Sequence, residues 1–341
     1  RALYDTTGLS ATLQTNGVEN VRVDLDSGNN GSETYTTSLT KMVGLKTLAA
    51  QSASTGNTTW NVTDYDSAVT LQLGDSINDD ATRDAGEEFA NSSTVAVTLA
   101  SASGTADALN ISLQDTDNAQ GTIVVTAAGV EALNLKTLGS GETHKLDVSG
   151  VAATTDSKLS ITLTGTGTDA VTLTNVAATA NEINASGLAG ALTVSDRGSS
   201  AMTITGGTGA DSLRMENSAD VMTGGTGTDT LVIVQNAVLG GFKIDLSAAG
   251  DQVTTYNGSA NAAVQSGFEN IDASGITGSF GADITAIKTG STLIGTTNSD
   301  QVTGGAGNDI FVLSDVTTDT VDAGLGTNSL ALRGGVTIAN T

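Results

Sequence analysis

The sequence predicts an all-β chain wound as a right-handed parallel β-solenoid, or β-roll. Three observations carry this. Nine-residue repeats of the form G-G-x-G-x-D-x-U-x, where U is a large apolar residue, recur in register. Alternating β-branched segments, bounded by Gly, Asn, Asp and Ser, fill much of the rest. The chain of 341 residues also holds 42 Gly and no Pro.

The repeats come first, because internal periodicity decides the architecture. Residues 206–232 read GGTGADSLR, MENSADVMT, GGTGTDTLV, with Asp211, Asp220 and Asp229 at the sixth place and Leu213, Met222 and Leu231 at the eighth. Residues 295–312 read GTTNSDQVT and GGAGNDIFV, carrying Asp300 and Asp309. After a one-residue insertion the phase returns, with Asp319 and Asn328 in sixth position, and an isolated copy at 164–172 offers Asp169. Glycine admits tight turns with φ > 0, and the x-U-x that follows is a short strand with its apolar residue inward. Nine residues therefore make a turn and a strand, and two such units make one coil. Asp211 and Asp229, eighteen residues apart, stack on one edge of successive coils, and Asp220 falls on the opposite edge.

Strand segments elsewhere are VAVTLA (95–100), TIVVTA (122–127), KLSITLTG (158–165), AVTLTN (170–175) and TLVIV (230–234). Only Arg83–Ala90 and Asp283–Lys288 suggest helix. Absent proline fits, since a strand between two others needs every backbone N–H for its ladder. A slow X–Pro isomerisation would also hinder rapid folding. The expected organisation is an irregular solenoid over 1–195, a first repeat block at 196–235, intervening coils at 236–294 and a second block at 295–341.

Composition removes several functions. With no Cys there is no disulfide framework and no thiol nucleophile, and a single His excludes a two-His metalloprotease motif. Thirty-seven Asp and Glu against 13 Lys and Arg give a net charge of −24, which repels nucleic acid. No apolar run approaches the length of a membrane span, so no membrane insertion is expected. The first ten residues lack a secretory-signal core. The abrupt start at Arg1 and the want of an apolar tail suggest a piece of a longer polypeptide. No phosphate-cradling motif and no G-x-S-x-G occurs. His144, in GETHKLD, reads as an exposed turn residue, so no catalytic group is assigned and an enzyme is not expected.

Stacked carboxylates at about 4.8 Å repel by roughly 1 kcal/mol in water and several times more in a protein surface. They call for a hard cation with oxygen ligands, and calcium tolerates an irregular set of carboxylates and turn carbonyls better than magnesium.

The nonapeptides resemble those of the RTX (repeats-in-toxin) family of calcium-binding parallel β-rolls. Members leave Gram-negative cells by type I secretion, without a cleavable N-terminal signal, and fold outside on meeting calcium. The resemblance makes Asp211, Asp220, Asp229, Asp300 and Asp309 calcium carboxylates. It makes Gly206, Gly207, Gly209, Gly224, Gly225, Gly227, Gly304, Gly305 and Gly307 donors of turn carbonyls. Asp169, Asp319 and Asn328 join the metal set by their place in the repeat. A second phrase recurs as GVENVRVDL (17–25), GVEALNLKT (129–137), ANEINASGL (180–188) and GFENIDASG (267–275). With the Thr/Ser/Ala-rich strands it resembles RTX-type bacterial surface-layer proteins. Its Val18–Glu19, Val130–Glu131 and Phe268–Glu269 pairs read as coil corners where Glu accepts turn amides.

Acidic loops at 24–33, 76–88 and 115–121 are either further ion sites or solvated turns. Trp60 and Tyr65 are expected to pack an irregular N-terminal coil. The functional expectation is a structural subunit of an extracellular surface layer, sheath or filament at the bacterial cell surface, folded and assembled by several Ca²⁺. Its partners would be further copies of itself and cell-surface polysaccharide. The alternative is a calcium-dependent RTX adhesin or biofilm-matrix protein binding surfaces or glycans. A third reading, the repeat module of a secreted hydrolase or lyase, lacks a catalytic constellation.

Overall fold

A computed structural model describes residues 14–25, 33–51, 58–74, 93–114, 121–139, 141–154, 157–314 and 318–333. Among these every regular element is a strand and none is a helix. The chain divides into two units, Arg1–Gly198 and Ser199–Thr341.

In the first unit, successive strands alternate between two parallel sheets. One takes Glu33–Ser38, Thr58–Tyr65, Thr94–Leu99, Ile123–Ala128, Thr143–Ala152, Ala170–Val176 and Leu192–Val194 in that order. The other takes Asn20–Asp24, Thr47–Gln51, Thr70–Leu73, Ala108–Leu113, Ala132–Thr137, Leu159–Gly165 and Ala180–Leu188. Among these fourteen strands each pairs with the strand after next, as a coil of two strands and two turns requires, while the short Thr15–Asn16 and Met42–Val43 pair apart from them. The period-2 alternation puts apolar residues inward in continuous rows: Val21, Leu48, Leu71, Ile111, Leu135 and Leu163 are register partners across one sheet. Tyr35, Trp60, Val95 and Val125 are partners across the other. Trp60 is fully buried and its Nε1 donates to Thr37 Oγ1 at 3.0 Å. Tyr65 is also buried, its hydroxyl donating to Val69 O at 2.6 Å and accepting Asn110 N at 3.0 Å. Both rings are core residues.

In the second unit, Ser212–Met215, Thr230–Val238, Asn270–Gly278, Thr292–Ile294, Ile310–Leu313 and Ser329–Leu332 follow one another in parallel. Their inward row is Leu213, Leu231, Ile271, Leu293, Phe311 and Leu330. Thr203–Thr205, Val221–Thr223 and Gln265–Ser266 form a second sheet. A third begins with Phe242–Asp245 and continues through Ala282–Thr285, Gln301–Thr303 and Thr320–Asp322.

Two expectations are corrected. Asp283–Lys288 is not helical: Asp283 to Thr285 lie in the strand Ala282–Thr285, where Ile284 pairs with Ile244 and Val302 in a buried row. The other suggested helix, Arg83–Ala90, lies outside the described residues, as do 76–88 and most of 24–33 and 115–121. The stretch 236–294 is not uniformly parallel. Val253–Tyr256 and Ser259–Ala260 form an antiparallel hairpin that adds to Phe242–Asp245. Its turn is Asn257–Gly258, with φ of 52° and 78°, the left-handed pair that a two-residue hairpin favours.

The recurring Asn/Asp-x-Ser text is a bend. Asp147, Asn184, Asp245 and Asp272 each accept, through Oδ1, both the amide and the hydroxyl of the serine two residues on. Asp147 and Asp272 sit where strand registers shift.

Candidate metal centre

The sixth residue of each repeat stands immediately before a strand, with its side chain turned in. Asp169, Asp220 and Asp300 are 0 % exposed, and Asp211, Asp229 and Asp309 are 1 %. A buried ionised carboxylate must be hydrogen-bonded or paired. The partners follow a rule that links consecutive coils. In Asp229, Asp220, Asp300, Asp309 and Asp319, and in Asn328, one side-chain oxygen accepts the amide at the matching point of the coil before. Thus Asp229 Oδ1 accepts Asp211 N at 2.8 Å, Asp220 Oδ1 accepts Met202 N at 2.9 Å, and Asp300 Oδ1 accepts Ala282 N at 2.8 Å. Asp309 Oδ1 accepts Ser291 N, Asp319 Oδ1 accepts Asp300 N and Asn328 Oδ1 accepts Asp309 N, each at 2.8 Å.

The second oxygen usually turns to its own loop. Asp211 Oδ2 accepts Gly207 N at 2.6 Å, Asp300 Oδ2 accepts Thr296 N at 2.7 Å, and Asp309 Oδ2 accepts Gly305 N at 2.8 Å. Asp220 Oδ2 accepts Glu216 N and Asn217 N at 3.1 and 2.9 Å. Asp229 breaks the rule, because its Oδ2 is buried and has no hydrogen-bond partner. The turn explains the difference. Gly225 and Gly227 have φ of 108° and 137°, a region side-chain-bearing residues resist.

Oxygens crowd this corner. A Cβ on Gly206 would collide with Gly224 O and Asp211 Oδ2, and one on Gly224 would collide with Gly267 O and lie 2.8 Å from Asp229 Oδ2. Carbonyls of Gly207 and Gly209 press equally closely on Gly225 and Gly227. Burial above all pushes the Asp229 carboxyl up to about 6. The charges of Asp211 and Glu269 add to that, against the pull of the Asp211 amide. Among the described residues no three His, Cys, Asp or Glu side chains gather into one metal-binding group. A cation at this corner would therefore draw on turn carbonyls as well as on Asp229 and Asp211. That donor set, all oxygen and partly anionic, suits a hard divalent ion.

The Val-Glu phrase belongs to the same columns. Glu269 Oε2 accepts Asp229 N at 2.8 Å, so Glu269 holds the post that Asp229 holds for Asp211. Glu131 does likewise in the first unit: Oε2 accepts Asp107 N at 3.1 Å and Oε1 accepts Thr154 N and Oγ1 at 3.1 and 3.0 Å. Burial alone would raise the Glu131 carboxyl, but these bonds outweigh it and hold the group low. Glu19 instead pairs with Lys46 at the surface. Glu131 and Glu269 thus accept turn amides as their phrase led one to expect, and they do so from the post of the Asp column, which Glu and Asp reach from loops of different length.

His144 corrects an expectation. It lies in the strand Thr143–Ala152 with no exposure, on the inward face with Leu146 and Val148, rather than in an exposed turn. Its Nε2 is 3.4 Å from Asp169 Oδ2, which also accepts Gly139 N at 2.8 Å, and Asp169 Oδ1 accepts Glu142 N at 3.1 Å. The alternation T-H-K-L-D-V was the available signal.

Comparison of the chain with protein-family models, with curated proteins and with solved structures returns no match, so the columns of buried carboxylates carry the functional reading alone.

Proposed function

We propose that this chain is a structural subunit of an extracellular bacterial surface layer, or of a related sheath or filament, folded and assembled by calcium. The observation that carries the reading is Asp229 Oδ2, a buried carboxylate oxygen without a partner among stacked glycine carbonyls and beside two further acids. Calcium supplies the positive charge that this corner lacks, and the chain's own part is to hold its oxygens in place by coil-to-coil amide bonds. Asp211, Asp300 and Asp309, with the carbonyls of their glycine turns, are the further metal positions. A fold that completes only on meeting calcium suits export by type I secretion and assembly outside the cell. Repeating sheet edges suit association with further copies, and surface polysaccharide would be the anchor. Electron microscopy of the purified chain tests this: ordered arrays or filaments should appear with calcium and disperse with chelator. Dispersed monomers at every calcium concentration would overturn it.

One observation favours a second reading, a calcium-dependent adhesin. In a chain of net charge −24, the outward rows Thr34, Thr59, Thr94, Val124 and Thr36, Asn61, Ala96, Thr126 hold no charge up to Asp147, the next partner in the first row. Such a face suits a neutral glycan surface. Calcium-dependent retention of monomers on neutral polysaccharide would support that reading over the lattice.

A further inference from the structure

We infer that two corners of the repeat columns carry their own substitute for the cation, His144 at Asp169 and the carboxamide of Asn328 at its turn, so that both hold without metal. The inference rests on the calcium reading for the remaining corners.

Asn328 shows the substitution directly. Its Oδ1 accepts Asp309 N at 2.8 Å, the bond that Asp229, Asp220, Asp300, Asp309 and Asp319 make to the coil before. Its Nδ2 donates to Ala323 O and Leu325 O at 2.7 and 3.0 Å. These are the first and third carbonyls of its own turn. A carboxylate in the same place has no hydrogen to donate, so an Asp turn must have its carbonyls met by something else. The amide nitrogen does what a cation would do, from within.

At Asp169 the donor comes from the coil before. His144 is the register partner of Val171, which pairs in turn with Leu192. The equivalent inward row of the second unit is Leu213, Leu231, Ile271, Leu293, Phe311 and Leu330. A single polar ring therefore interrupts a row that is otherwise hydrocarbon, and it does so beside Asp169, with both side chains at zero exposure. An imidazole N–H donated to Asp169 Oδ2 adds a third donor to a carboxylate whose two oxygens already accept Gly139 N and Glu142 N, so positive charge from outside is not needed there. Asp229, by contrast, follows Leu213 and keeps an oxygen without a hydrogen-bond partner.

Hydrogen exchange on the whole chain, in calcium and in excess chelator, tests this. Peptides spanning 139–146, 165–175 and 323–332 should keep their protection in chelator, while 206–232 loses it by about tenfold or more. In metal-free buffer, His144→Leu should lose about tenfold protection over 139–172 and His144→Gln, which keeps an N–H, should not. A histidine that only filled space would gain from Leu. Asn328→Asp should lose protection over 323–332 without calcium and bind one more calcium ion per chain than the parent. Unchanged exchange in both His144→Leu and Asn328→Asp would overturn the inference, as would loss of the 139–146 and 323–332 protection in the parent on chelation. If 206–232 proves indifferent to chelator, calcium fails as the second unit's ligand, and the metal-free variants still decide this proposal.

Discussion

The two units hold their coils by different means. In the first, Thr143–Ala152, Leu159–Gly165 and Ala180–Leu188 run ten, seven and nine residues, and Leu159–Gly165 alone buries Leu159, Ile161 and Leu163. In the first repeat block of the second, Thr203–Thr205, Ser212–Met215 and Val221–Thr223 have three or four residues, and Val221–Thr223 buries Met222 alone. At about 2 kcal/mol for each buried aliphatic side chain, that is a difference of roughly 4 kcal/mol per strand. The ordering cost per residue is similar in both. Hydrocarbon suffices for the longer coils. The short glycine-turned coils need a second source of cohesion, and Asp211, Asp220, Asp300 and Asp309 are buried at their corners, as is Asp229 between the three-residue Val221–Thr223 and the nine-residue Thr230–Val238.

Removing metal should separate the units most sharply. Excess chelator should abolish much of the β-sheet circular dichroism contributed by the second unit and leave that of the first, with calcium restoring the loss. Next in size, Ile161→Ala should cost about 3–4 kcal/mol in urea unfolding whether or not calcium is present, because a cavity in a hydrocarbon row does not depend on metal. Asp229→Asn should change sign with conditions. In calcium it should remove about 2–3 kcal/mol of stabilisation, and in chelator it should be neutral or stabilising, because an uncharged carboxamide replaces a buried carboxylate. Asp196→Asn, on an exposed residue, should stay within about 0.5 kcal/mol in both. A uniform loss from Asp229→Asn and Asp196→Asn would erase the distinction drawn for the column.

Acidity sharpens the same comparison. The folded-state carboxyl of Asp229 lies at about 6, above its ordinary value of 3.8. Its contribution is fully present below that ordinary value and is lost as pH rises through about 6. Metal-free protein should therefore gain about 1 kcal/mol in the second unit between pH 7 and pH 5, and calcium should suppress the gain. In the first unit Glu131 and Asp147 are held low by the Thr154, Asp107, Ser149 and Asn175 bonds, although burial opposes them. Their contribution is present above the ordinary carboxylate range and disappears only as pH falls below it. Urea midpoints of the two units against pH, read by residue-resolved exchange, check both signs.

A further effect concerns the turn. Gly225→Ala should cost about 1–2 kcal/mol, since φ there is 108° and the new methyl would meet Gly207 O.

Much of this was legible in the residues. The nine-residue register placed Asp211 and Asp229 on one edge and Asp220 on the other, and the structure puts them before strands of two different sheets. Alternation and absent proline pointed to the parallel ladders. Other features needed a different weighting of local signals. Asn257–Gly258 is a hairpin turn by its chemistry, yet the surrounding solenoid pattern masked it. His144 sat in a polar phrase, and only the two-residue period revealed its inward face. Glu269 was legible as an acceptor of turn amides; that it takes the Asp post of its column was not, because a longer side chain on a different loop reaches it. The partnerless oxygen of Asp229 depends on glycine torsions in one turn, and two turns with the same G-G-T-G text, 206–209 and 224–227, differ in just that respect.

Calorimetric titration of calcium into the metal-free chain, beside the Asp211→Asn, Asp229→Asn double variant, tests the central claim most directly. Saturable uptake by the parent, with at least one site fewer in the variant, is the predicted result. Heat that never rises above dilution at millimolar calcium, or identical uptake by both proteins, would contradict it.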